Sequence, residues 1–332
     1  MRVLVTGATG FIGSHIVDHL LDRGNIIRAL TRHERKHKRI PERKEISWIH
    51  GDLTDKASLK QATVDISVVY HAAALLHTSD NENAMREVNV NGVKNLLEAC
   101  VLNQVRHIVF ISSIAVYAPA STAIIREDAP LGGQSEYGRT KVEAEVLIKS
   151  YSASSKLTYS IIRPCVTYGE RDHNFTPRLL RLLRRPVIPV IAGNLEHMIM
   201  VHAADVANAA ILTGTHPNAI GQAYNITGGR QTSLRELVQV FEKLSGQHRF
   251  LVPIPMSLLR TALSVRWLVS SFHHKQPRSI IQRHRDKNTS IFLRTNRYDI
   301  SKAQRELGYE PQIDLQEGLR RALAWYEQQK QS

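Results

Sequence analysis

The stretch Thr6-Gly7-Ala8-Thr9-Gly10-Phe11-Ile12-Gly13 decides how this chain reads. It follows the apolar run Val3-Leu4-Val5 and opens residues 11–23, where Ile12, Ile16, Leu20 and Leu21 recur at helical spacing until Gly24 closes the segment. A strand that turns on glycines into a helix presents unpaired N–H groups and the positive end of the helix dipole to an anion. Glycines spaced Gly-x-x-Gly-x-x-Gly permit a tight turn, close approach of the backbone to a pyrophosphate, and close packing of helix on sheet. A dinucleotide is therefore expected on Gly7, Thr9, Gly10, Phe11, Ile12 and Gly13.

Outward from this turn, buried-type strands are predicted at 26–30, 46–49, 66–70, 107–112 and 157–162, with long helical stretches over 83–102 and 136–151. Strands separated by helices of this length imply right-handed crossovers and a parallel sheet covered on both faces. The expected architecture is α/β, a Rossmann-type doubly wound parallel sheet with a smaller, interwoven C-terminal substrate lobe. Residues 1–165 would form the dinucleotide-binding domain, with segments returning near 198–228. Residues 166–332, punctuated by Pro177, Pro186, Pro189, Pro253 and Pro255, would form most of the lobe.

The chain has 332 residues, 42% of them hydrophobic, and a formal net charge of +14. This excludes a disordered or low-complexity chain. Its cysteines, Cys100 and Cys165, cannot staple a disulfide framework, and no Cys/His cluster has metal-ligand spacing, so no metal is expected. The N-terminus runs straight into a strand, no long apolar run spans a membrane, and a cytoplasmic setting is expected. Basic stretches occur at 32–39 and 273–287, without interleaved aromatics or a nucleic-acid motif, so nucleic acid is not an expected partner.

The end of the second strand selects the dinucleotide. A carboxylate there would bind the ribose 2′-OH of NAD, whereas a basic residue accommodates the 2′-phosphate of NADP. Here Leu30 is followed by Thr31-Arg32-His33-Glu34-Arg35. Arg32 and Arg35 would attract the phosphate, so NADP(H) is the preferred cofactor, with NAD(H) possible given Glu34.

Tyr137 and Lys141 lie four apart in a helical stretch, hence on one face. A phenol with a pKa near about 10 is a poor acid or base at neutral pH, and an ammonium one turn away favours its ionised form. The preceding strand ends in Phe110-Ile111-Ser112-Ser113, at the carboxyl edge where open α/β sheets place ligands. A hydroxyl there can hydrogen-bond a substrate carbonyl or alcohol.

With these residues in place, the chain resembles the extended short-chain dehydrogenase/reductase family. The likeness runs through Thr6 to Gly13, Gly51-Asp52-Leu53-Thr54-Asp55, His71-Ala72-Ala73-Ala74, Asn89-Val90-Asn91-Gly92, Ser112 to Tyr117, Tyr137-x-x-x-Lys141 and Arg163 to Gly169. It implies that Tyr137 exchanges a proton with substrate, Lys141 supports it and holds the nicotinamide ribose, and Ser113, rather than Ser112, polarises the substrate oxygen. It also implies Asp52 and Leu53 beside the adenine, Ala72, Ala73 and Ala74 along the cofactor, Asn89 ordering the site, and Pro164, Val166 and Thr167 on the nicotinamide side. A homodimer through 83–102 and 136–151 is implied as well.

The family includes both alcohol/ketone oxidoreductases and nucleotide-sugar epimerases or dehydratases. Nucleotide-sugar members carry an Arg on the diphosphate just before a Val-His-x-x-Asp-Val motif. Here Met198 stands at that position, ahead of Val201-His202-Ala203-Ala204-Asp205-Val206, with Arg178 and Arg181 as substitutes from another element. The apolar segment 256–272 resembles that of the 3β-hydroxysteroid dehydrogenase and 3-oxo-acyl or sterol reductase branch, where it would act as core, as a lid, or as a peripheral contact with an anionic membrane. The expectation is hydride transfer between a nicotinamide and a secondary alcohol or ketone on an apolar substrate. A UDP-glucose 4-epimerase-like enzyme with tightly held NAD, and a non-catalytic NADP sensor, are the alternatives.

Overall fold

The structure is a computed structural model that describes residues 1–32, 43–76, 82–119, 124–191, 197–254 and 297–331. Arg35, the apolar segment 256–272 and the basic stretch 273–287 lie outside the described residues.

The first half alternates strand and helix. β1 (Arg2–Thr6) leads through the Gly-rich turn into α1 (Phe11–Asp22), then come β2 (Ile26–Thr31), β3 (Ile46–His50) and α2 (Lys56–Ala62). β4 (Val68–His71) is followed by α3 (Glu82–Arg86), one wider π-type turn at Glu87–Asn91, α4 (Gly92–Leu102) and β5 (His107–Ile111). The short β6 (Ile124–Ile125) precedes α5 (Glu136–Ala153) and β7 (Thr158–Pro164). Asp55 caps α2 by accepting from the Ala57 N–H at 2.9 Å, and Ser135 caps α5 by accepting from the Gly138 N–H at 3.0 Å. The second cap matters for chemistry, because it starts α5 in the phase that aligns Tyr137, Lys141 and Glu145 along one side.

The second half supplies β8 (Val166–Tyr168), α6 (Phe175–Leu183), β9 (Val187–Ile191), β10 (His197–His202), α7 (Ala203–Thr215), β11 (Gln222–Ile226) and β12 (Gln231–Ser233). It continues with α8 (Leu234–Ser245), β13 (Phe250–Ile254), β14 (Arg297–Tyr298), α9 (Ser301–Leu307) and α10 (Leu315–Gln331). The seven-stranded sheet has the order β11-β7-β5-β4-β1-β2-β3, and every pairing in it is parallel. Of the segment near 198–228, β11 joins this sheet, whereas β10 lies between β8 and β12 in a separate three-stranded sheet. Smaller pairs, β9 with β13 and β6 with β14, complete the described strands.

Period-2 alternation divides the core between the two faces of the large sheet. Val3, Val5, Ile27, Ala29, Tyr70 and Val109 pack with Ile16, Val17 and Leu20 of α1 and with Val206 and Ala210 of α7. Leu4, Leu30, Val69, Ile108 and Phe110 pack instead with Leu59, Leu96, Leu97 and Ile148. Each large side chain removed from water here contributes about 1.5–3 kcal/mol, which explains why these strands are apolar at consecutive positions. The strand order reverses direction between β1 and β4, so their carboxyl ends open a crevice at the position where such sheets bind ligands.

Candidate active site

The Gly-rich turn forms one wall of that crevice. Gly7 has φ +71°, and a Cβ on it would stand 2.7 Å from the Ala73 N; a Cβ on Gly13 would stand 2.0 Å from the Gly7 carbonyl oxygen. The turn is closed by the Gly10 N–H donating to the Gly7 carbonyl at 2.8 Å. Gly10 stands at the N-cap of α1 and has no side chain to cap it, and the first turn of the helix contains no acid. Thr9, Phe11 and Ile12 remain partly open beside it. The backbone thus leaves room for a diphosphate and offers it N–H groups, so the residues present fit a dinucleotide.

At the far end of β2, Arg32 Nε lies 3.7 Å from Asp52 Oδ2. Partial burial works against ionisation of Asp52, yet the Thr54 N–H and hydroxyl, with the Arg32 guanidinium, hold its carboxyl below the usual range. Leu53 is buried beside Gly92, and its carbonyl accepts from Asn95 Nδ2 at 3.0 Å. Of the expected phosphate-binding pair, only Arg32 falls among the described residues.

Behind the turn, Thr6 Oγ1 and His71 Nδ1 share a hydrogen bond of 2.6 Å, and the Ala72 N–H donates to the Thr6 carbonyl at 3.2 Å. Ala72, Ala73 and Ala74 follow β4 along the crevice, all half-buried. Asn89 then ties this loop to the next helix. Its Oδ1 accepts from the Leu75 N–H at 2.8 Å, while its Nδ2 donates to the Leu75 carbonyl at 2.9 Å and to Thr140 Oγ1 at 3.2 Å. Asn89 lies on the π-type turn, where the extra residue turns its amide toward α5.

Ser113, Tyr137 and Lys141 converge at the carboxyl end of β5. A hydrogen bond from Ser113 reaches the Tyr137 phenol. The Ser113 hydroxyl also accepts from the Ala115 N–H at 3.1 Å, which orients it at the start of a short 3₁₀ turn. Lys141 is almost fully buried; its Nζ donates to the Ile111 carbonyl at 2.8 Å, stands 4.5 Å from the Phe110 ring centroid and 5.8 Å from that of Tyr137. Burial lowers its pKa to about 7, with the Glu145 carboxylate opposing that shift.

One expectation changes here. Lys141 was expected to make its neighbour more acidic, but in this structure burial pushes the Tyr137 phenol above its ordinary value and only the Ser113 hydrogen bond opposes it. The physical reason is desolvation: burial penalises the phenolate by more than the Ser113 hydrogen bond favours it, and the Lys141 ammonium donates to the Ile111 carbonyl.

On the opposite side, Pro164 ends β7 and the Cys165 N–H donates to the Ile226 carbonyl at 3.0 Å. Val166 and Thr167 follow, each partly open, paired with Met200 and Val201 of β10. Ser112, the weaker serine candidate, is buried and donates to Glu145 Oε1 at 2.6 Å, so its hydroxyl is already engaged away from Tyr137.

Glu145, and the contacts that Arg163 makes with it and with Tyr117, were not anticipated from the sequence. Glu145 and Arg163 form a buried ion pair at 2.7 Å directly behind Lys141, and Arg163 Nη1 donates to Tyr117 Oη at 2.9 Å. The spacing Lys141-x-x-x-Glu145 held a readable signal, since it continues the face already carrying Tyr137. Nothing local identifies Arg163 as its partner, because strand and helix meet only in the folded chain. Met198 is buried among Leu179, Leu180, Met200 and Leu237, while Arg178 and Arg181 are exposed. Among the described residues, no group of three or more His, Cys, Asp or Glu is arranged to hold a metal, and no helix is long and apolar enough to cross a membrane.

With this geometry in view, the chain can be set beside known proteins. It is 26% identical to the 3β-hydroxysteroid dehydrogenase/Δ5→4-isomerase of Mycobacterium tuberculosis, over 98% of this chain and 90% of that one. It is also 26% identical to the UDP-glucose 4-epimerase of Vibrio cholerae, over 96% of this chain and 93% of that one. Among solved structures, MoeE5 in complex with UDP-glucose and NAD superposes with a TM-score of 0.76 at 26% identity, covering 99% of this chain and 100% of that one. The NAD dependent epimerase/dehydratase family profile matches residues 3–227, and the chain belongs to that family.

Proposed function

We propose that this protein is an NAD(P)-dependent oxidoreductase that interconverts a secondary alcohol and a ketone on an apolar, sterol-like, polyketide-like or 3-oxo-acyl substrate, with NADP(H) preferred. The observation that carries the reading is the convergence of Ser113, Tyr137 and Lys141 at the carboxyl end of β5, while Met198, at the position where nucleotide-sugar members carry a cation, lies in the core. A sulfur side chain neither donates a hydrogen bond nor neutralises a diphosphate. Arg32 at the end of β2 supports the phosphorylated cofactor.

In the reducing direction, ketone, NADPH and one proton give alcohol and NADP⁺. When bound, the dinucleotide supplies hydride at its nicotinamide C4. Gly7, Gly10 and Gly13 would hold its diphosphate, and Lys141 would hold its ribose. Tyr137 delivers the proton to the substrate oxygen, and Ser113 donates a hydrogen bond to that same oxygen, stabilising the charge that develops there. Oxidation runs through the same groups in reverse.

A second reading, a nucleotide-sugar epimerase, is favoured by the likeness to the UDP-glucose complex. Incubation with NADPH and a panel of sterol-like, polyketide-like and 3-oxo-acyl ketones, alongside UDP-glucose with no added cofactor, separates the two. Net NADPH consumption by a ketone is the expected result; UDP-sugar epimerisation without net cofactor change would overturn the proposal.

A further inference from the structure

Directly behind the crevice lies a buried polar network with no direct contact to the proposed reacting groups. Glu145 is fully buried, one helical turn beyond Lys141 on α5. Its carboxylate is gripped by the Arg163 guanidinium, Nε at 3.0 Å from Oε1 and Nη2 at 2.7 Å from Oε2, and Oε1 also accepts from Ser112 Oγ at 2.6 Å. Arg163 Nη1 donates to the Glu127 carbonyl at 2.9 Å and to Tyr117 Oη at 2.9 Å. Tyr117 donates onward to Asn225 Oδ1 at 2.6 Å, and Asn225 Nδ2 reaches the carbonyls of Ile125 at 3.3 Å and Asp299 at 3.2 Å.

The members of this network touch each part of the site by covalent adjacency. Ser112 precedes Ser113, Lys141 sits one turn before Glu145, and Arg163 precedes Pro164 and the nicotinamide-side segment. Asn225 links the same network to β6 and to Asp299, just after β14. A bidentate carboxylate–guanidinium pair fixes both distance and plane, so it sets the relative register of β5, α5 and β7 more tightly than apolar packing would. Burying such a pair yields little net stability over an apolar substitute of similar volume, so its presence here calls for a reason other than stability.

We propose that Glu145 is a positioning residue: through Ser112 and Arg163 it holds the ends of β5 and β7 around Lys141, with its carboxylate one helical turn beyond that lysine. The groups facing Lys141 make this the principal favourable charge. On its own helix these are Tyr137 and Glu145; from β5 come Phe110 and the Ile111 carbonyl; from β4 His71, which burial and the lysine's own charge keep neutral, its pKa lowered to about 3; and from β7 Arg163, whose guanidinium is turned onto Glu145. The proposal rests on the reading of Lys141 as part of the site only for its consequence, not for its test.

The test reads Lys141 directly and needs no substrate. In full-length protein labelled at lysine Cε and Nζ, the Lys141 resonance is assigned by its disappearance in Lys141→Met and followed against pH by NMR. Wild type is expected to titrate near neutrality, and Glu145→Gln to titrate about one pH unit lower, since an anion one turn away is worth about that much at an effective dielectric typical of proteins. An unchanged midpoint in folded Glu145→Gln would leave the carboxylate a structural tie and overturn the proposal. If that variant does not fold because the Arg163 cation is left unpaired, Arg163→Met, which frees the Glu145 anion from its bidentate partner, is followed instead. An upward shift in Arg163→Met supports the proposal, and no shift overturns it. Loss of ketone turnover in wild type would bear on the proposed function while leaving these midpoints unaffected.

Discussion

Lys141 Nζ donates to the carbonyl of Ile111 at 2.8 Å, so the buried ammonium is anchored to the end of β5, not to the phenol one turn before it. The arrangement separates two tasks that the spacing alone merges. The lysine is held ready beside the crevice by β5, and the tyrosine takes its hydrogen bond from Ser113.

Tyr137→Phe removes the phenol oxygen proposed to transfer the proton while keeping the ring. Turnover of ketone with NADPH should fall by about 10²–10⁴-fold, with the dissociation constant for NADPH, read by fluorescence titration, changed less than about threefold. Retention of most of the activity would remove Tyr137 from the chemistry.

Arg32→Ala tests cofactor choice at the described end of β2. NADPH affinity should weaken by about tenfold or more while NADH affinity barely changes, because only the former carries the 2′-phosphate. Equal loss for both dinucleotides would mean that the arginine acts through its contact with Asp52.

Gly13→Ala and Gly24→Ala should behave differently. A Cβ on Gly13 meets the Gly7 carbonyl oxygen at 2.0 Å, so the turn must shift, and a loss of at least about 2 kcal/mol in urea unfolding is expected together with weaker dinucleotide binding. Gly24 has φ +69° and nothing within 4 Å of its added Cβ, so its substitution should cost about 1 kcal/mol of backbone strain and leave binding alone.

Met198→Arg would place a cation among Leu179, Met200 and Leu237 with no partner there. It should destabilise the protein by about 3 kcal/mol or more and create no affinity for UDP-sugars, as measured by thermal melting and calorimetric titration. A stable variant that gained UDP-sugar binding would show that this position faces the crevice.

Burial lowers the pKa of His15 and His71 to about 3 and that of His107 to about 4. Each therefore stays neutral in the fold and takes up a proton in the unfolded chain once pH falls below the unperturbed value of about 6.5. Unfolded protein binds more protons across that window, so stability is full above it and declines as pH drops through about 6 toward 4. The urea midpoint should fall measurably between pH 7 and pH 5, about where few carboxylates have begun to protonate. A flat midpoint over that interval would mean these imidazoles charge within the fold.

The Gly-rich turn, the alternation of apolar strands and helices, and the Tyr137/Lys141 spacing were readable because each is a local pattern, with consequences set by backbone geometry within a few residues. They were enough to anticipate a parallel sheet and a dinucleotide crevice, and the seven-stranded order centred on β1 and β4 agrees. The direction of the Lys141 ammonium, the joining of Glu145 to Arg163, the turn of Asn89 toward Thr140 and the burial of Met198 could not be read this way. Each depends on residues far apart in the chain meeting in space, where desolvation and the choice of hydrogen-bond partner are set by packing rather than by neighbours in sequence. Local order in the chain named the groups that could do chemistry; the folded interior determined which of them are charged, which are already engaged, and which face the crevice.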